Sequence, residues 1–408
     1  MGTSNKVLFG AVGDINLSGG VASPVMNDGF DWAFERMLPH LRRAELLFGN
    51  LESVVSPPDY PAREIDPKGL IGQRDPAPAL KKAGFDFLNL AQNHILDAGV
   101  PGMFHTRDII ERAGIATGGI GNTQPEARRL RILEKNGLRF GFLCYCEDTN
   151  YSLSTTGPCH AYYTRETVLE DVARHRDAVD VLVISIHADL EFMPTPSVPR
   201  QQIMREIARA GATLILAHHP HVPQGIERIG DSLVVYSLGN FVFASHSDSY
   251  MRENLPHTGH SFLLLAEVER RRVNSFTRVP LIISPAPEER PAPADGADRD
   301  RLLAYFAELD ALAADEQAVA RVWRQLAIDR LAGQLERLKT MTCDDLLAET
   351  LGRLLLVQEN RSWVNEVMRV VQENWAKQAN TIDPLHRPHY VITNRPKSPT
   401  PAGTNTAK

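Results

Sequence analysis

The chain has 408 residues, of which 43% are hydrophobic and 23% charged, with a formal net charge of -6. That length points to a large core domain plus an extension. The acidic balance, with basic residues only in short clusters such as Arg42-Arg43 and Arg270-Arg271-Arg272, argues against nucleic-acid binding.

In chain order, residues 6–12 read as a buried strand ending at Gly13-Asp14, and 30–43 as a helix offering Trp32, Phe34, Met37 and Leu41 to a core. A strand at 45–49 follows, then a long Pro-rich and polar loop over 54–74, of the kind that helps to form a site. Next come a helix at 76–83, a strand at 85–91, a helix at 101–113 and a strand opening at 115–117. Residues 130–146 form a hairpin turning at Lys135-Asn136-Gly137, and the irregular 147–162 lines a cleft. A helix at 164–175 precedes a strong strand at 180–186, and a helix at 200–210 closed by Gly211 precedes strands at 213–217 and 233–237. A strand at 261–268 is antiparallel or peripheral. Repeated strand, loop and helix argue for a layered α/β core, with one open sheet gathering the polar strand ends at its carboxyl edge.

The expected organisation is a core domain over 1–284, a Pro-, Ala- and acid-rich linker over 285–300, a helical extension over 301–380 and a flexible tail over 381–408. The helices at 301–338 and 344–377 pack on the core, on each other or on a second subunit, so a homodimer is one possible partner state. No stretch reaches the roughly 18 apolar residues of a membrane span, and no cleavable leader precedes the first strand. Cys144, Cys146, Cys159 and Cys343 lack the spacing of a disulfide framework or a Cys-rich zinc site. The expected location is cytoplasmic.

Metal-competent residues recur where apolar strands end. Asp14 is a hard carboxylate ligand directly after the first strand, with Asn16 close enough to assist. Glu52 follows Asn50 by two residues and can bridge two cations; Asn50 is either a further ligand or a loop-holding group. Asn93 offers a carbonyl oxygen, and its neighbour His94 a proton donor or acceptor. His187 ends the 180–186 strand, with Asp189 and Glu191 as acceptors that would fix its ring. In His218-His219-Pro220-His221, His219 and His221 are the preferred ligands and His218 stays open. Tyr236-Ser237-Leu238-Gly239-Asn240-Phe241 is a further strand-end turn, and Arg63, Arg74, Arg200 and His246 are candidate contacts to an anion.

A mixed O and N donor set of this kind suits two divalent ions, drawn from Mn, Fe or Zn, that neutralise an anionic substrate and lower the pKa of a bound water. The residues alone therefore read as a metal-dependent hydrolase. The glycines at Gly118-Gly119-Ile120-Gly121 lack the spacing of a dinucleotide loop, and the glycine-rich 10–20 segment has no phosphate-binding lysine.

Five ordered motifs, Gly13-Asp14-Ile15, Gly49-Asn50-Leu51-Glu52, Ala91-Gln92-Asn93-His94, His218-His219-Pro220-His221-Val222 and the Tyr236–Phe241 turn, carry a family resemblance over about residues 6–275. The chain resembles the bacterial capsule-synthesis and poly-γ-glutamate biosynthesis protein CapA family, itself similar in fold to calcineurin-like metallophosphoesterases. The resemblance implies that Asp14 binds one metal, that Glu52 bridges two, that Asn93, His187 and His219 complete one site and that His221 serves the other. It implies that His94 protonates the leaving group or holds the transition state, so that Asp14, Glu52 and His94 form the catalytic set. Asn16 stands where the phosphoesterases commonly carry a histidine, and Glu52 where they carry an aspartate. The bond attacked is then a phosphoester, or a γ-glutamyl or other amide in polyglutamate or secondary metabolism, and the partner an anionic small molecule or γ-glutamyl polymer. The alternatives are a non-catalytic protein that binds anionic polymer during capsule assembly, and a metal-dependent group transferase.

Overall fold

The computed structural model describes residues 6–18, 29–60, 69–147, 157–338 and 358–372. Its strands in chain order are β1 (Val7–Ile15), β2 (Leu46–Leu51), β3 (Val54–Val55), β4 (Ile71–Gly72), β5 (Phe87–Asn89), β6 (Ala116–Gly118), β7 (Ile120–Gly121), β8 (Arg131–Lys135) and β9 (Leu138–Cys146). They continue as β10 (Cys159–His160), β11 (Val181–His187), β12 (Leu214–His218), β13 (Ile226–Ile229), β14 (Ser232–Val235), β15 (Asn240–Val242), β16 (His260–Glu269), β17 (Arg272–Ile283) and β18 (Pro291–Pro293). The principal helices are α1 (Ala77–Ala83), α2 (Gly99–Arg112), α3 (Arg165–His175), α4 (Val198–Ala210), α5 (Gly296–Ala314), α6 (Glu316–Leu338) and α7 (Gln358–Gln372).

The strands form two large sheets, not the single open sheet expected. One runs β18-β17-β16-β1-β2-β5-β6, with β15 parallel to the end of β1; the other runs β13-β14-β12-β11-β9-β8. The physical reason lies in the buried central strands, which are apolar on both faces. Their inner faces meet in an aromatic seam: Phe9 lies 6.1 Å from Phe140, Phe48 lies 6.2 Å from Phe142, and Phe87 lies 4.1 Å from Phe142 between ring centroids. The outer faces are covered by helices. Leu80 of α1 and Met103 and Ile110 of α2 join the core of the first sheet, and Val168 of α3 and Met204 and Ile207 of α4 join that of the second. The result is a helix–sheet–sheet–helix sandwich.

Local chemistry sets the element ends. Thr164 and Ser197 cap α3 and α4 by accepting from Thr167 N and Arg200 N, and Gly84 and Gly211 close α1 and α4 in the left-handed region. The hairpin turns at Asn136 and Gly137, both at positive φ, as expected.

Other expectations need correction. The single helix over 30–43 is three short turns, Asp31–Phe34, Glu35–Met37 and Leu38–Leu41, because Pro39 has no N–H to continue an earlier turn. Of the two readings of the 261–268 strand, antiparallel holds and peripheral does not: β16 pairs antiparallel with β1 in the interior of its sheet. Residues 285–300, read as a linker, contain β18, a proline-bearing edge strand on β17, and the first turn of α5. Asp315 divides the 301–338 helix by accepting from Gln317 N and Ala318 N, which starts α6. Parts of the 54–74 and 147–162 loops, the first half of the 344–377 helix and the tail 381–408 lie outside the described residues. Among the described residues, no helix is long and apolar enough to cross a membrane.

Candidate metal centre

Parallel pairing aligns carboxyl ends. Asp14 of β1 stands in register with Asn50 of β2, and His187 of β11 with His218 of β12. The two sheets therefore deliver their polar strand ends to one edge of the sandwich. Gly13 is required there because Asp14 N donates to Gly239 O at 2.9 Å; a Cβ on Gly13 would sit 1.8 Å from that oxygen.

Three overlapping groups of donors result, each with its ligand atoms within 4.8 Å of one another: Glu52 with His187 and His219, Asp14 with Glu52 and His221, and Glu191 with His219 and His221. Glu52 Oε1 lies 3.8 Å from His187 Nε2 and 3.5 Å from His221 Nε2. Both carboxylate oxygens of Glu52 are buried and receive no hydrogen bond among the described residues. A buried carboxylate left unpaired is costly, and a cation between these side chains would remove that cost. The donor set thus fits hard to borderline divalent ions.

Neighbouring amides orient these groups. Asn50 Nδ2 donates to Asp14 Oδ1 at 2.8 Å and lies 3.2 Å from His187 Nδ1, while Asn50 Oδ1 accepts from Asn89 Nδ2 at 2.7 Å. Asn93 Oδ1 is 2.8 Å from His187 Nε2. Asn240 Nδ2 donates to Thr258 O, so its Oδ1, 2.9 Å from His221 Nδ1, accepts the imidazole proton there. That tautomer leaves the lone pair of His221 on Nε2, the atom facing Glu52.

The loops are conformationally strained. His219 has φ 93° and His221 φ 58°, both left-handed, on either side of Pro220. Left-handed backbone on residues with a side chain costs free energy and persists where the surroundings impose it. Here His219 N donates to Asp14 Oδ2 at 3.2 Å, and Pro220 O accepts from Phe192 N at 2.8 Å.

Burial dominates the electrostatics. It pushes the Glu52 carboxyl well above its usual range, assisted by the Asp14 and Glu191 charges beside it. For Asp14, burial acts in the same direction, but the contacts with His218, His221 and His219 N prevail and its pKa is lowered. Burial and the neighbouring imidazoles hold His187 well below its ordinary value, and burial lowers His221 to about 4. Without a cation, His187 and His221 favour their neutral forms.

Of the expected ligands, Asp14, Glu52, His187, His219 and His221 come together and Asn93 touches His187. His94 lies near enough to His187 and His221 to disfavour their protonation. Its Nδ1 is 2.7 Å from Asp97 Oδ2, a partner the sequence did not single out. His218 is buried 3.3 Å from Asp14 on the sheet side, against Phe48, and belongs to none of the three groups.

Several secondary assignments shift. The Asn16 Oδ1 accepts from Ser18 N and Oγ, so it closes a turn rather than assisting Asp14. Asp189 accepts from Ser197 N and Glu191 stands 3.7 Å from His221 Nε2, so Asn50 occupies the place beside His187 that these two were expected to take. Arg200 is buried in an ion pair with Glu147 at 2.9 Å and over the Tyr163 ring; Arg74 lies over Phe30, and His246 Nε2 is 3.1 Å from Ile283 O. Arg63 lies outside the described residues.

Residues 9–245 match the family described as bacterial capsule synthesis protein PGA_cap. The capsule biosynthesis protein CapA of Bacillus anthracis is 28% identical over 248 residues, covering 59% of this chain and 60% of that protein. The PGA biosynthesis protein CapA of Bacillus subtilis (strain 168) is 27% identical over 235 residues, covering 57% and 62% respectively. An uncharacterized protein of Sinorhizobium fredii, y4sH, is 25% identical over 305 residues, covering 57% and 65%. The chain thus spans about three fifths of the length of the curated Bacillus relatives it matches.

Proposed function

Because this chain belongs to the bacterial capsule synthesis protein PGA_cap family, of calcineurin-like fold, we propose that it is a metal-dependent hydrolase of an anionic substrate, acting on a phosphoester or on a γ-glutamyl or related amide bond. The relatives named for capsule and PGA biosynthesis direct the reading towards polyglutamate chemistry. The observation that carries the hydrolase reading is Glu52, a fully buried carboxylate without a hydrogen-bond donor, facing two imidazoles.

In this reading Asp14, Glu52, Asn93, His187, His219 and His221 hold two divalent ions. Such ions, when bound, supply Lewis acidity that lowers the pKa of water and offsets the charge of an anionic substrate. Asn50 and Asn240 hold Asp14 and His221 in place for that task. His94 stands at the margin of the centre with its side chain 19% exposed, against 0% for His187, so it is the imidazole open to a substrate. Its contact with Asp97 fixes the ring, which suits it to pass a proton to a leaving group.

The test is hydrolysis by the purified chain, after chelation and reloading with Mn²⁺ or Zn²⁺, of bis-p-nitrophenyl phosphate, γ-glutamyl-p-nitroanilide and poly-γ-glutamate. Ion-dependent turnover of any of them, lost in Glu52→Gln and strongly reduced in His94→Asn, is the expected result. Binding of poly-γ-glutamate with no turnover of any substrate by the ion-loaded chain would replace this reading with polymer binding.

A further inference from the structure

We propose that Glu191 is a further cation-facing carboxylate of this centre, closing with His219 and His221 an outer corner that the six expected ligands leave open. The proposal rests on the metal reading above and adds a residue to it. A ligand atom of Glu191 lies within 4.8 Å of those of both imidazoles, and Oε1 is 3.7 Å from His221 Nε2. Its second oxygen accepts from the Tyr250 hydroxyl. A carboxylate fixed through one oxygen presents the other in a set direction. The Glu191 side chain is 16% exposed where Glu52 is 0% exposed, so this corner is the solvent side of the centre.

The loop that carries Glu191 is built rather than incidental. Asp189 and Phe192, on either side of it, have φ 89° and 60°, a strained backbone that needs outside support. That support comes from several directions. Asp189 N donates to Glu147 Oε2 at 3.1 Å, Phe192 N to Pro220 O between the two imidazoles, and Gln224 Nε2 to Met193 O at 2.9 Å. Leu190 and Met193 are buried against Val319, Val322 and Trp323 of α6, and Trp323 Nε1 donates to Pro196 O at 2.7 Å. The Glu191 loop is thus clamped by a helix outside the family-matched residues 9–245.

The test uses the full chain, stripped with chelator and titrated with Mn²⁺ by calorimetry, with elemental analysis and electron paramagnetic resonance of the loaded protein. Glu191→Gln keeps the side-chain size, and thermal unfolding of the ion-free variant verifies that it folds. The expected result is two ions in the unaltered chain, with the spectrum of a coupled pair. In Glu191→Gln, one ion should bind as before and the other at least about tenfold more weakly, with the spectrum of an isolated Mn²⁺ at limiting ion. Two ions bound by Glu191→Gln with unchanged affinities and an unchanged coupled spectrum would overturn the proposal while leaving the metal reading intact. An unaltered chain that binds no Mn²⁺ would overturn both.

Discussion

Asn50 donates to Asp14 Oδ1 at 2.8 Å across the β1–β2 register, and Asn89 on β5 donates in turn to Asn50 Oδ1 at 2.7 Å. One buried amide on each of two neighbouring strands therefore holds the first carboxylate of the centre. Both Asn50 polar atoms are engaged, which makes it a positioning residue. Asn50→Leu preserves volume but removes the amide donor to Asp14 Oδ1 and the oxygen that accepts from Asn89 Nδ2. We expect a loss of about 1–3 kcal/mol of stability in denaturant titration and roughly 10–100-fold weaker divalent-ion binding. Ion affinity unchanged in a folded Asn50→Leu variant would show that Asp14 needs no such support.

Glu52→Gln separates the structural cost of the centre from its use. The ion-free protein buries a carboxylate that no donor reaches, beside Asp14 and Glu191. A neutral amide removes that repulsion, so the ion-free variant should unfold at a temperature no lower than the unaltered chain at pH 8. The gain on adding ion should vanish; for the unaltered chain it is about 2.7 kcal/mol at 100 times the dissociation constant. An ion-induced shift of equal size in both proteins would remove Glu52 from the ligand set.

Much of this candidate centre was legible in the sequence because its donor groups follow apolar strand runs, and parallel strands present their carboxyl ends together. Asp14, Glu52, His187, His219 and His221 illustrate this. What local pattern does not encode is which runs pair. The apolar stretches at β1 and β11 look alike, yet one lies in each sheet, and only the Phe9, Phe48, Phe87, Phe140 and Phe142 seam between them dictates two layers. The same non-local geometry redirected Glu191. Two left-handed residues turn its loop towards His221, and positive φ at Asp189 and Phe192 carries no composition signal of the kind a glycine gives.

Ion binding should release protons at pH values above the ordinary carboxylate range. The folded pKa of Glu52 is raised above its ordinary 4.5, chiefly by burial, so the folded ion-free chain holds a proton that the unfolded chain loses. Stability from this group is complete below the unfolded value and is lost as pH rises through the folded one. A cation requires the carboxylate and displaces that proton, so apparent affinity should climb with pH over the same range. His187 and His221, both lowered by burial, are already neutral at pH 7 and add no protons. Calorimetric titrations with Mn²⁺ in two buffers of different ionisation enthalpy measure the released protons. Identical heats in both buffers at every pH above 4.5 would contradict this account.

Trp323 links the C-terminal helices to the Glu191 loop. Its indole is 2% exposed, packs with Leu190 and Met193, and donates to Pro196 O. Trp323→Ala should cost about 3–5 kcal/mol through the cavity it leaves, which by itself would say only that the contact is structural. Trp323→Phe is the sharper variant, since it retains a ring and loses the hydrogen bond, at about 1 kcal/mol. If α6 acts by holding the loop, native-state hydrogen exchange in Trp323→Phe should accelerate at residues 190–197 and stay unchanged along β11 and β12. Ion affinity should then fall only for the ion that Glu191 faces. Uniform acceleration across both sheets would mean that the helix stabilises the whole sandwich and does not single out the Glu191 loop.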